Sequence, residues 1–167
     1  MPPAMNRFTH PRRLGALGAL LCPWIAAVAL AAPLPYDESA DPKAAVQQAL
    51  VAAKASHANV LVIFGANWCE DCRALDQALG AGRNAALMAH DFNVVKVDVG
   101  DFDRNIDLSA AYGNPIKKGI PAAVVLSPGG QVLYATKAGE LADARRMSED
   151  GIFDFFKQVS QIAAAKH

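Results

Sequence analysis

Apolar positions change period along the chain, and the changes mark out its elements. VLVIF at 60–64 is a continuous, largely β-branched run, as expected of a strand buried on both faces in the middle of a sheet. Before it, Val46, Ala49, Leu50 and Ala53 recur at helical spacing, with Lys43, Gln47, Gln48 and Lys54 opposite. Asp41-Pro42 reads as the start of that helix, with an acidic N-cap followed by a proline at the first helical position. After 65–67, a turn, the period is helical from Cys69, with Cys72, Leu75, Ala78 and Leu79 on one stripe, until Gly80-Ala81-Gly82 breaks it. A short helix is expected over 84–90 and a second strand over 94–99, where Lys96 and Asp98 share a face. A short helix over 106–112, closed by Gly113, and a loop over 114–119 follow. Residues 122–126 and 131–136 read as two strands joined by the turn Ser127-Pro128-Gly129-Gly130. A polar loop over 139–146 leads to a last helix, with Ser148 as N-cap and Ile152, Phe155, Phe156 and Val159 as its core stripe. The order after the first helix is β-α-β-α-β-β-α. This is an α/β chain whose mixed sheet combines a parallel portion with a late antiparallel hairpin, helices covering both faces.

The first 31 residues follow a different logic. Arg7, Arg12 and Arg13 stand in a segment without acids, residues 14–32 are apolar and uncharged, and Ala29-Leu30-Ala31 fits a small-residue cleavage signal. That layout is a secretory signal peptide over 1–31. An uncleaved membrane anchor is the main alternative, because the run approaches the roughly 20 residues that span a bilayer, but Pro23 and the small-residue end oppose it. A lipid anchor on Cys22 fits less well, since Ala19-Leu20-Leu21 precedes it, and nothing beyond Ala32 continues the pattern as a core helix would. Residues 32–40 read as a linker, and 41–167 as one domain. Without the leader, 13 basic side chains face 16 acidic ones, a net charge of −3. A mildly acidic domain without a basic cluster gives no reason to expect nucleic-acid binding. Membrane association is expected only if the leader stays attached.

Cysteine usage narrows the chemistry. Of three cysteines, Cys22 belongs to the leader, which leaves Cys69 and Cys72. Exported proteins stapled by disulfides carry several well-separated pairs. A single C-x-x-C closes a very small loop and constrains the unfolded chain little. Two thiols at this spacing, where a strand gives way to a helix, point instead to redox chemistry. Gly80-x-Gly82-x-x-Ala85 superficially matches a dinucleotide fingerprint, but no strand precedes it. No cofactor is expected.

The markers Trp68-Cys69-x-x-Cys72 after a buried strand, Lys96 on the next strand, and Gly119-Ile120-Pro121 before a hairpin stand in an order that resembles the thioredoxin fold across about 44–159. Asn67 to Asp76, NWCEDCRALD, is closer still to a motif of exported bacterial thioredoxin-like proteins described as disulfide isomerases. The resemblance implies a central mixed sheet of four to five strands. It implies that Cys69 is the nucleophile, that Cys72 resolves the mixed disulfide, and that Pro121 is cis. The backbone of Ile120 would pair with an extended substrate, and Trp68 would pack as apolar surface beside the site, as core filling, or both. The partners implied are disulfide-containing proteins and a redox partner, and the compartment is the bacterial periplasm.

Three departures from ordinary thioredoxins stand out. Ile63 occupies the position of a buried Asp that serves the resolving thiol, so Lys96 needs another partner, for which Asp98 or Glu70 is available. The loops 113–119 and 141–147 are longer, and loops at a site alter substrate choice. The dipeptide between the thiols is Glu70-Asp71. Two carboxylates beside Cys69 oppose its thiolate, and strong oxidants of this fold work by stabilising that thiolate. The dipeptide therefore points toward a reductase or isomerase, with Arg73 opposing the effect. A different class of function, Cu(I) binding or delivery through the Cys69 and Cys72 thiolates, is chemically open. Structural zinc is not, because it needs about four ligands.

Overall fold

The computed structural model of the chain describes residues 34–166; the leader expected over 1–31 lies outside them. Helix α1 spans Pro42–Ser56, and the Asp41 carboxylate caps it by accepting from the backbone N–H groups of Lys43 and Ala44. Strand β1 is Asn59–Gly65, and helices α2 and α3 are Glu70–Leu79 and Gly82–Asp91. Strand β2 is Phe92–Asp98, helix α4 Ile106–Ala111, strands β3 and β4 Ala122–Leu126 and Val132–Ala135, and helix α5 Glu149–Ala164. Ser148 caps α5 through the Gly151 N–H.

The sheet has four strands in the order β2-β1-β3-β4. β1 runs parallel to β2 and antiparallel to β3, and β3 pairs antiparallel with β4. Both neighbours of β1 are strands, and helices cover both of its faces, which is why 60–64 carries no polar alternation. Val60, Val62 and Phe64 point into one core layer, with Val46 and Ala53 of α1 and Leu108 of α4. Leu61 and Ile63 point into the other, with residues of α2, α3 and α5 that include Leu75, Leu87 and Phe156. α2 serves both layers: Cys72 faces the first and Leu75 and Leu79 the second.

Four local features differ from the sequence reading. β2 begins two residues earlier than its apolar run, because Asn59 and Val60 of β1 pair with Phe92 and Asn93. α3 begins two residues earlier as well, at Gly82. Pro115–Lys118 and Ala144–Arg146, read as loop, are short 3-10 turns; three or four residues are too few to show a period. Within the stretch expected as a linker, one residue is anchored to the domain. Tyr36 is buried in the first core layer, and its main chain is gripped by one side chain: Asn67 Oδ1 accepts from Tyr36 N at 3.0 Å and Asn67 Nδ2 donates to Tyr36 O at 2.8 Å. Burial, and then the charges of Asp76 and Asp98, push the Tyr36 phenol above its ordinary range.

Candidate active site

The end of β1 delivers the turn 66–69, and that turn is held on every side. Cys69 N donates to Ala66 O at 3.2 Å. Arg73 Nη1 donates to Asn67 O at 2.6 Å. Trp68 Nε1 donates to Gly100 O at 2.9 Å, on the connection after β2. Cys69 is therefore placed as the N-cap of α2, where its Sγ accepts from Cys72 N at 3.2 Å. That is the end of a helix where unpaired N–H groups and the dipole favour negative charge, here a thiolate.

Cys69 and Cys72 form a disulfide. Both are buried; Cys69 keeps 6% of its surface and Cys72 none. Across the site stands Ile120, whose carbonyl oxygen is 3.7 Å from Cys69 Sγ. The Ile120–Pro121 peptide is cis, as the resemblance implied. The structure thus brings together Cys69, Cys72, Ile120 and Pro121 from two segments about fifty residues apart.

Trp68 is 54% exposed and so does not fill core. It pairs with Phe102, also exposed, at a ring-centroid distance of 6.3 Å. Sequence reading passed over Phe102 because it stands alone in a polar connection, at φ +64°.

The tuning residues are arranged differently from expectation. Lys96 forms its ion pair with Asp76 of α2, not with Asp98 or Glu70. Ile63 lies opposite Lys96 in the β1–β2 register, and an isoleucine offers Lys96 no charge there. Asp76, one turn beyond Cys72, supplies the carboxylate instead. Asp98 is buried and engaged elsewhere, accepting from Gly100 N at 3.1 Å and lying 3.4 Å from Arg104 Nη1. Arg73 does not face Glu70-Asp71, since its guanidinium is spent on Asn67 O. The cation at the dipeptide is Arg145, from the 3-10 turn before α5. Its guanidinium pairs with the Glu70 carboxylate, its Nε lies 3.7 Å from Asp71 Oδ1, and its backbone N–H donates to Asp71 Oδ1 at 3.0 Å. The only signal for Arg145 in the sequence is the length of the loop that carries it.

Among the described residues no cluster of three or more His, Cys, Asp or Glu side chains is placed to hold a metal ion, and no helix is long and apolar enough to cross a membrane.

Residues 41–128 match the family described as thioredoxin-like. Among solved structures, a disulphide isomerase from Xylella fastidiosa Temecula1 is 57% identical, with a TM-score of 0.76, over 78% of this chain and 99% of that one. A DsbH oxidoreductase is 19% identical, with a TM-score of 0.51, over 80% of this chain and 87% of that one, a likeness of fold alone. No curated protein matches the chain. With its Cys69–Cys72 pair on this fold and its likeness to a disulphide isomerase, the protein is a thiol–disulfide oxidoreductase. By the extent of these matches and the markers just described, the chain belongs to the thioredoxin-like family.

Proposed function

We propose that the protein is exported and reduces or isomerises disulfides in other proteins through Cys69, with Cys72 as the resolving thiol. The observation that carries this reading is the placement of the pair: Cys69 caps a helix N-terminus and keeps 6% of its surface, while Cys72 is fully buried. In the dithiol form the Cys69 thiolate attacks one sulfur of a substrate disulfide. A Cys69–substrate bond forms, the substrate S–S bond breaks, and the first substrate thiolate leaves and takes a proton. Cys72, as thiolate, then attacks Cys69 Sγ. The Cys69–Cys72 bond forms, the second substrate thiolate leaves, and two electrons have passed to the substrate. A dithiol donor must return them. In isomerisation the first substrate thiolate attacks another disulfide of the same substrate before Cys72 acts; the thiolate this releases attacks the substrate sulfur bound to Cys69, Cys69 leaves as thiolate, and no net electrons pass.

The surroundings support an extended polypeptide as substrate. The Ile120 carbonyl faces Cys69 Sγ and offers a main-chain acceptor for strand-like pairing. The exposed Trp68–Phe102 pair provides apolar area next to the thiol. The 57% identity to a disulphide isomerase supports disulfide exchange as the reaction, and the charge and hydropathy layout of 1–31 supports export to the periplasm.

The direct test is insulin reduction with dithiothreitol, run in parallel with copper analysis of the purified protein. Cys69→Ser is expected to abolish turnover, and Cys72→Ser to accumulate a mixed disulfide visible by mass spectrometry. Full turnover by Cys69→Ser, or stoichiometric copper in a protein without turnover, would overturn the reading. Export is checked by recovering the protein from the periplasmic fraction of a Gram-negative host, with a mass that lacks 1–31.

A further inference from the structure

Glu70 and Asp71 put two negative charges between the two sulfurs, and charges there oppose the Cys69 thiolate. Taken alone they would make the dithiol form unfavourable and the couple strongly reducing. The structure does not leave them alone. Arg145 reaches them from the far end of the chain, with three contacts to two carboxylates: the guanidinium on Glu70, Nε on Asp71, and the backbone N–H on Asp71. Its loop is anchored on both sides: Leu141 and Ala144 before it are buried in the second core layer, and Met147 after it packs against that layer. Arg73, the nearer cation in sequence, is turned toward the turn backbone. Asp143 engages the neighbouring Arg146, at 3.5 Å, and leaves Arg145 to α2.

We infer that Arg145 is a positioning residue that neutralises the Glu70-Asp71 dipeptide and so sets how readily the Cys69–Cys72 disulfide is reduced. It touches no reacting sulfur. It acts by holding a fixed positive charge against the two acids next to Cys69, and the loop 141–147 thereby becomes part of the redox machinery. The inference rests on the reading that Cys69 reacts as a thiolate, but not on which protein substrate it meets.

The experiment is the equilibrium of the full-length protein with glutathione at pH 7. In it the Cys69–Cys72 disulfide and two glutathione thiols give two protein thiols and one glutathione disulfide. Removing the positive charge destabilises the thiolate and hence the dithiol form, so Arg145→Gln should shift the constant toward the protein disulfide about three- to tenfold, about 15 to 30 mV for this two-electron couple. Arg145→Lys should stay near wild type, and Arg145→Glu should shift furthest. The gap between Arg145→Gln and wild type should shrink in 1 M salt, where the Debye length is about 3 Å. Circular dichroism identifies any variant that fails to fold, and the remaining charge steps still decide. Constants within twofold of wild type for Arg145→Gln, a shift that ignores the charge order, or one that salt does not change would overturn the inference. The equilibrium uses a small thiol, so it stands or falls separately from insulin turnover.

Discussion

A methyl group added at Gly65 would lie 2.2 Å from Tyr36 Oη and 2.3 Å from its ring carbon. Neither atom can retreat, because Tyr36 is buried and its main chain is held by Asn67. Gly65→Ala is therefore expected to cost about 1–3 kcal/mol by overpacking, read as a lower urea midpoint with an unchanged slope. Trp68→Ala removes exposed area and one hydrogen bond to Gly100. It should raise the KM for a protein substrate severalfold more than it changes kcat, checked by insulin turnover at varied insulin. At this scale the sequence was informative wherever residue type and short spacing carry the chemistry. Cys69 and Cys72 were legible for that reason, and Pro121 and Trp68 through the family resemblance of their motifs. Arg145 and the Asp76 partner of Lys96 were not, because each contact joins segments that only the fold brings together. Tyr36 was missed because a single aromatic in a polar lead-in has no period to announce burial.

Between elements, the clearest tie joins α3 to α5. Asp91 Oδ2 accepts from Ser160 Oγ at 2.5 Å, and Asp91 Oδ1 meets His90 Nδ1 at 2.5 Å. Burial pushes the Asp91 carboxyl up, but hydrogen bonds from Ser160 and His90 and the charge of Lys157 together outweigh it and hold it below the usual carboxylate range. A carboxylate depressed in this way stabilises the fold above its unfolded pKa and loses that contribution as pH falls through its lower folded value. Asp91→Asn should therefore lower the urea midpoint at pH 7, and the gap to wild type should narrow below about pH 4, the unfolded aspartate value. An equal gap at pH 7 and pH 3 would contradict this. Element existence was readable from the sequence because α1, α2 and α5 each keep a helical stripe, and the Asp41 and Ser148 caps mark two helix starts. Boundaries were less so: the start of β2 depends on its pairing with β1, which no local pattern encodes.

The molecule as a whole divides its labour between the two layers of core. Cys69 and Cys72 belong to one layer and Phe156 of α5 to the other, with the sheet between them. Phe156→Ala should cost about 3–5 kcal/mol, read in urea unfolding. The mixed sheet was legible from the order of strands and helices, whereas its reduction to four strands, with β2 and β4 at the edges, needed the structure. The span that matches the shared family, 41–128, carries both thiols and Pro121. Tyr36 precedes that span and Arg145 follows it, so the two groups that dress the site enter from opposite sides of the common part. A graft of 41–128 alone into a relative would thus transplant the reactive sulfurs and leave their character behind: the recipient's own flanks would decide how they behave.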